Sequence, residues 1–170
     1  WRRSQVDRFV ENLYRQVKRE RPHVQVGISP FGIWRPGNPE DIQGMDQYET
    51  LYADARLWLE QGWVDYLVPQ LYWPIGRVQQ SFPVLLAWWQ QQNPLGRHLW
   101  PGLYTSRVDD GSASAFDVDE ILGQILVSRG MLQRNAGAVH FSARVFMAER
   151  GRSLNAALQS GPYRDRALPP

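Results

Sequence analysis

The sequence predicts an α/β fold built from parallel strand–helix units. Four short apolar runs, rich in β-branched residues and closed by proline or turn residues, alternate with segments whose apolar residues recur at helical spacing. This alternation is typical of parallel sheets, because two parallel strands need a crossover connection and a helix usually provides it. The chain has 170 residues and contains no long linker, so the sequence predicts one domain over residues 1–170.

The first half of the chain holds two of these units behind a leading helix. The spacing of apolar residues predicts that helix over residues 5–20. A strand is predicted over 24–29, followed by a loop rich in Gly and Pro over 30–44. A second helical stripe covers 51–59, and a second strand covers 64–68.

The second half repeats the pattern. A helix is predicted over 78–92 and a strand over 98–104. After a polar loop, another helix begins near residue 117 and leads to a fourth strand over 138–142. A last short helix is predicted over 153–159, so the chain contains four predicted strands.

Two parallel architectures fit this order of elements. A doubly wound sheet usually carries a Gly-rich phosphate-binding turn directly after its first strand, but Gly27, Gly32 and Gly37 do not have that spacing. A (β/α)8 barrel needs eight strands and about 250 residues. Four strands would supply half of such a barrel.

The composition excludes several functional classes. The chain has 19 Lys+Arg against 17 Asp+Glu, and this net charge of +2 argues against binding of nucleic acid or another strong polyanion. The absence of cysteine excludes disulfides, zinc–thiolate sites and thiol catalysis. The 3 histidines lack metal-ligand spacing, so no metal site is expected. No cofactor is expected either. No apolar run approaches the roughly 20 residues of a membrane span.

Candidate binding residues follow the four predicted strands. Both parallel architectures bind ligands beyond the carboxyl ends of their strands. There the chain presents Ser29, Phe31, Trp34, Arg35, Gln70, Tyr72, Trp73, Tyr104, His140, Ser142 and Arg144. Aromatic faces stack on sugar rings while polar side chains bind hydroxyl groups, so this mixture suits a carbohydrate. The competing interpretation is that several of these aromatic residues only pack in the core.

The catalytic residues stay unknown at this level. Cleavage of a glycosidic bond generally needs two carboxyl groups, and none of the four strand ends presents one. The acids within reach lie in loops, where Asp usually serves a turn. They are Glu40, Asp41, Asp46, Asp109 and Asp110. Asp117 and Glu120 have the spacing of a capping box at the start of a helix.

Several blocks of the sequence resemble the glycosyl-hydrolase-like 10 family of bacterial envelopes. The blocks are residues 27–35, 51–54, 62–66 and 69–73, which read GISPFGIWR, LYAD, GWVDY and PQLYW. The resemblance extends to Tyr163 and the ending Ala167-Leu168-Pro169. Because members have a (β/α)8 barrel, it implies that this chain is the second half of that barrel, with about four strands.

The resemblance also implies a function. It is the hydrolysis of a bacterial glycan, such as the peptidoglycan strands of the cell envelope, with this chain supplying mainly the substrate-binding half. The catalytic carboxylate would precede Trp1, so the chain alone is expected to be inactive without the first half-barrel. Of the candidates, Trp34, Arg35, Gln70, Tyr72, Trp73 and His140 would line the sugar cleft. An extracytoplasmic location is implied: periplasmic, secreted or lipid-anchored.

A different class of function stays open beside this one. The missing strand-end carboxylates also fit a non-catalytic carbohydrate-binding or structural half-barrel module. Such a module could pair with a second copy of itself, because four barrel strands leave two open edges.

Overall fold

A computed structural model describes residues 1–133 and 136–166, so the ending Ala167-Leu168-Pro169 lies outside the described residues. The helices are α1 (Arg2–Glu20), α2 (Gln47–Thr50), α3 (Ala55–Glu60), α4 (Phe82–Gln91), α5 (Val118–Leu132), α6 (Arg144–Met147) and α7 (Arg152–Ser160). The strands are β1 (Gly27–Ile28), β2 (Tyr66–Leu67), β3 (His98–Leu99), β4 (Gly102–Leu103) and β5 (Val139–His140). Short 3-10 turns cover Val78–Gln80, Thr105–Arg107 and Glu149–Gly151.

Every strand pair in the described chain is parallel, which confirms the predicted α/β class. Strands β1, β2 and β3 form one sheet in chain order, and β4 pairs with β5 in a second. A parallel bridge between Gln70 and Gly102 connects the residues that follow β2 to β4. The strand predicted over 98–104 is therefore split into β3 and β4. The break falls at Pro101, which has no N–H for the ladder.

Helix α1 begins earlier than predicted, and α4 begins later. Arg2 is the first residue of α1, so the helix includes three residues that the apolar spacing alone did not assign to it. The helix predicted over 78–92 divides into a 3-10 turn and then α4, with Pro83 in the first turn of α4. Proline is tolerated there because the first N–H groups of a helix have no partner within it.

The hydrophobic core lies between the sheets and the helices. Leu67 and Leu103 of the strands are fully buried, as are Leu86 and Trp89 of α4 and Ile121 of α5. On the opposite side of the β1–β3 sheet, an open apolar cavity is lined by residues that include Ile28, Tyr66 and Trp100. Every helix in the described ranges is too short or too polar to cross a membrane.

Asp65, which directly precedes β2, connects α1 to the sheet. Its carboxylate lies 2.5 Å from Lys18 Nζ and accepts hydrogen bonds from the Val26 N–H at 2.7 Å and the Tyr14 hydroxyl at 3.2 Å. Burial opposes the ionisation of Asp65, but these donors outweigh burial and hold its pKa below the usual 3.8. The ionised carboxylate therefore stabilises the folded chain above that pKa.

We predict that Asp65→Asn lowers the free energy of unfolding by about 1–3 kcal/mol at neutral pH, because a charged acceptor of buried donors is lost. The difference from the wild type shrinks as the pH falls below 3.8, since the unfolded wild-type chain then takes up a proton that the folded chain, with its lower pKa, binds only at lower pH. Urea unfolding across this pH range measures it. Glu40→Gln, at an exposed loop position, is the control and changes stability by less than about 0.5 kcal/mol. A loss that does not depend on pH would contradict the prediction.

Candidate functional site

An open cleft lies where the loops after β2 and β4 meet the start of α5. It consists of two adjoining cavities of about 290 and 330 Å³. Both cavities are lined by Tyr72, Trp73, Arg77, Arg107 and Ser114. The first is completed by Pro74, Ala115, Phe116, Asp117 and Glu120, and the second by Phe31, Gln70 and Tyr104. We call this space the aromatic cleft.

Five of the predicted site residues meet in the aromatic cleft. The ring of Tyr72 lies 4.9 Å from that of Tyr104, and the ring of Phe31 stands edge-on to Trp73 at 6.0 Å. Burial, together with neighbouring Tyr104, raises the pKa of Tyr72, so its hydroxyl stays protonated at neutral pH. The fifth residue is Gln70. The cleft therefore offers aromatic faces beside a neutral hydroxyl and an amide.

Ser29 lies next to this cleft without lining it. The side-chain amide of Gln70 donates to the Ser29 carbonyl oxygen at 3.0 Å, which fixes the end of β1 against the end of β2. Ser29 itself borders the apolar space on the open side of the sheet, with Tyr66 and Trp100. Ser29 therefore helps to hold the loops in place but does not form part of the cleft wall.

Trp34 and Arg35 pack among the helices instead. The Trp34 ring lies parallel to Trp88 at 5.8 Å, and its Nε1 donates to Asp54 Oδ1 at 3.0 Å. Arg35 forms an ion pair with Asp46 at 3.2 Å. Because these contacts occupy both side chains, the structure places them outside the walls of the aromatic cleft.

His140 also points away from the cleft. Its Nδ1 lies 2.7 Å from Thr105 Oγ1 and its Nε2 lies 2.7 Å from the Tyr163 hydroxyl, while Phe146 stands edge-on to the ring at 5.2 Å. Burial lowers the pKa of His140 to about 4, so the ring is neutral at pH 7. The histidine connects β5 to the turn that follows α7. Neither ring nitrogen bonds to Ser142, and the geometry gives no support to a serine nucleophile there.

The remaining two candidates lie beyond β5. The backbone N–H of Ser142 donates to Ser106 Oγ at 2.9 Å, which connects the end of β5 to the loop after β4. Arg144 is exposed at the start of α6. Neither side chain lines the two cavities of the aromatic cleft.

The acids at the cleft are Asp117 and Glu120, which the sequence marked only as a capping box. Asp117 does cap α5 and accepts the Glu120 N–H at 2.8 Å. The Glu120 carboxylate, however, does not turn back to its own helix start as a capping box requires. It accepts the Ile75 N–H at 2.8 Å and the Gln124 amide at 2.7 Å.

This network fixes the loop that carries Trp73. Gln124 is fully buried and donates to the Trp73 carbonyl oxygen at 3.1 Å, in addition to Glu120. Sequence reasoning did not assign Glu120, Gln124, Arg77 or Arg107 to the site. The available signal was a pair of polar residues, Glu120 and Gln124, at i and i+4 on a helix whose neighbouring positions are apolar.

The other acids near the strand ends have different partners. Asp46 caps α2 and pairs with Arg35, and Asp110 accepts hydrogen bonds from Ser112 within its own turn. Within residues 1–133 and 136–166, no three His, Asp or Glu side chains come together as metal ligands would. The cleft is therefore a space of aromatic rings, two arginines and two helix-bound acids.

We predict that the His140 ring titrates near pH 4 in the folded protein, as measured by NMR, because burial disfavours its charged form. The unfolded chain takes up this proton near pH 6.5, so the stability that His140 contributes is complete above pH 6.5. It falls by about 3 kcal/mol between pH 6.5 and 4. His140→Gln removes this pH dependence in urea unfolding. A ring that titrates above pH 6 would contradict the prediction.

The comparisons with known proteins agree on one family. The model of the family described as glycosyl hydrolase-like 10 matches residues 1–120. The chain is 34% identical over 151 residues to "Glycosyl hydrolase YngK" of Bacillus subtilis, which covers 84% of this chain and 29% of that protein. It is 34% identical over 117 residues to "Glycosyl hydrolase DigH" of Escherichia coli K12, which covers 66% of this chain and 27% of that protein.

The chain thus spans less than a third of the length of these relatives. The family match nevertheless covers well over half of the chain, including β1 to β4, the loop that carries Trp73 and both acids of the aromatic cleft. The resemblance predicted from residues 27–73 is confirmed, and the chain belongs to the glycosyl hydrolase-like 10 family.

Proposed function

We propose that this chain is the glycan-binding side of a glycoside hydrolase that acts on a bacterial cell-envelope polysaccharide such as peptidoglycan strands. The observation that carries the proposal is the aromatic cleft at the carboxyl ends of the strands, where Phe31, Tyr72, Trp73 and Tyr104 line one cavity with Gln70. Aromatic faces pack on the C–H faces of sugars, and amide and hydroxyl groups bind their oxygens. Family membership supports a glycoside-hydrolase-like domain. An extracytoplasmic location is part of the same proposal.

The proposal includes a barrel of which the described strands form one side. The parallel order of β1, β2 and β3 fits such a barrel. On the open side of this sheet, an apolar space of about 300 Å³ is lined by residues that include Ile28, Tyr66, Val68, Trp100 and Val139. These are side chains of the kind that fill a barrel interior. A preceding half-barrel, or a second copy of the chain, would cover this face and the edges of β1 and β5.

The outer surface of α1 agrees with this arrangement. Val10 is buried against the rest of the chain, whereas Phe9 is 66% exposed and Leu13 is 41% exposed. In a closed barrel each outer helix packs against a helix on both sides. Phe9 and Leu13 are one turn apart and would meet the neighbouring helix of the other half.

The catalytic carboxylates belong, in this proposal, to the other half of the barrel. Glu120 is held by the Ile75 N–H and Gln124, and Asp117 caps its helix, so both acids have structural tasks. The four strand ends present no other carboxylate to the cleft. The shortage of free acids also favours a second candidate, a non-catalytic glycan-binding module.

We predict that Trp73→Ala weakens binding of peptide-free glycan strands at least tenfold in calorimetry, because the largest stacking surface of the cleft is lost. Trp73→Phe retains a smaller ring and loses less affinity. The control is Leu126→Ala, which shortens a side chain that is 61% exposed on α5 and away from the cleft. Unchanged affinity in Trp73→Ala would exclude the cleft as the glycan site.

We predict that the 170-residue chain by itself binds peptide-free glycan strands but does not cleave them, as measured by release of reducing ends. Turnover by a monomeric 170-residue chain, confirmed by sedimentation, would contradict the half-barrel proposal. Turnover only by the intact protein would support the hydrolase, whereas binding without turnover in both would favour the non-catalytic module.

A further inference from the structure

We propose that Arg77 and Arg107 form an anion-binding subsite for a carboxylate of the bound glycan. This inference rests on the proposed function, because the ligand is a glycan. Both arginines line both cavities of the aromatic cleft. Arg77 comes from the loop after β2 and Arg107 from the loop after β4, so two separate segments bring positive charge to one wall. The subsite lies beside the Trp73 and Tyr104 rings.

The two guanidinium groups differ from those of Arg35 and Arg56, which are paired with carboxylates. Arg35 pairs with Asp46 at 3.2 Å and Arg56 pairs with Glu60 at 2.7 Å. In the described part of the chain, Arg77 and Arg107 form no ion pair with a carboxylate. Their positive charge is therefore available to a ligand in the cleft.

Neutral side chains orient both arginines. Arg77 Nε donates to Gln80 Oε1 at 2.5 Å, and Arg107 Nη1 donates to Ser112 Oγ at 3.3 Å and also to Ser114 Oγ. These acceptors hold the guanidinium groups in place without neutralising them. Arg107 also lies over the Tyr104 ring, 5.3 Å from its centroid, which limits its motion further.

Within the described residues, the acids around the cleft form no ion pair with Arg77 or Arg107. Asp117 accepts the first-turn N–H of Glu120, and Glu120 accepts the Ile75 N–H, so backbone donors take up part of each carboxylate. Asp110 lies near Arg107, but hydrogen bonds from Ser112 are the main cause of its lowered pKa. The carboxylates thus serve local turns and helix starts, while both arginines line the cleft.

A sugar carboxylate fits this arrangement chemically. The planar guanidinium group presents paired N–H donors that match the two oxygens of a carboxylate, and such charge-assisted bonds are about twice as strong as neutral ones. A sugar ring stacked in the cleft would place an acidic substituent within reach of the same wall. Because the net charge of the chain is only +2, the attraction for an anionic ligand comes from this pair of arginines and not from a broad positive surface such as a polyanion binder has.

Calorimetry on the intact protein tests the subsite with two probes: peptide-free glycan strands with free carboxyl groups, and the same strands after methyl esterification. We expect the wild type to bind the free acid at least tenfold more tightly than the ester. Arg77→Gln and Arg107→Gln should each lose about tenfold in affinity for the acid and little for the ester. Arg107→Lys, which retains the charge but not the paired donors, should lose less than Arg107→Gln.

Arg8→Gln is the matched control, because it removes the same charge from an exposed position on α1. It should bind both probes like the wild type, and circular dichroism verifies that all variants fold. Equal binding of acid and ester by the wild type would overturn the anion subsite while leaving the glycan-binding proposal intact. Binding of neither probe would overturn the proposed function itself.

Discussion

The candidate site depends on one constraint, which is that the backbone of the loops after the strands must find hydrogen-bond partners outside the sheet. The strand ladders are only two residues long, and the bridges that continue them beyond β1 and β2 end at Phe31, Gln70 and Gly102, so other loop groups need different partners. Buried helix side chains do so instead. Gln47 donates to the carbonyl oxygens of Phe31 and Ile33, both at 2.9 Å, and Trp89 donates to that of Gly32 at 2.8 Å. The chain segment that follows β1 is thereby held on three consecutive carbonyl groups.

Helix side chains also hold the loop after β2, which carries Trp73, the largest ring of the cleft. Gln124 and Glu120 bind the backbone of Trp73 and Ile75, so the start of α5 fixes this loop from the side. The arrangement has a cost, because the Gln47 and Gln124 side-chain oxygens are buried without a partner in the described part of the chain. An unsatisfied buried acceptor costs about 1–3 kcal/mol.

The sequence predicted the order of elements well and the membership of the site only in part. Apolar periodicity and prolines identified four strand regions, and the residues after β2 do gather at the cleft, as Gln70, Tyr72 and Trp73 illustrate. Trp34 and His140 were assigned to the same site but pack against helices. Side chains alternate between two faces of a strand and its extension, and periodicity over a few residues cannot tell which face leads to the cleft. The position of α5 beside the β2 loop is a tertiary contact, and its one trace in the sequence is the polar pair Glu120 and Gln124 among apolar positions.

The chemical character of the cleft follows from which groups the fold leaves free. Tyr72 stays protonated, and Arg77 and Arg107 form no ion pair with a carboxylate in the described part of the chain, so this wall offers hydrogen-bond donors. The carboxylates of Asp117 and Glu120 accept hydrogen bonds from backbone N–H groups. A donor-rich wall binds the hydroxyl and carboxylate oxygens of a ligand but cannot supply a general base. Glycosidic cleavage places its two carboxyl groups about 5–9.5 Å apart across the bond. In the barrel that we propose, both carboxyl groups would therefore belong to the other half, and binding and chemistry would be divided between the two halves.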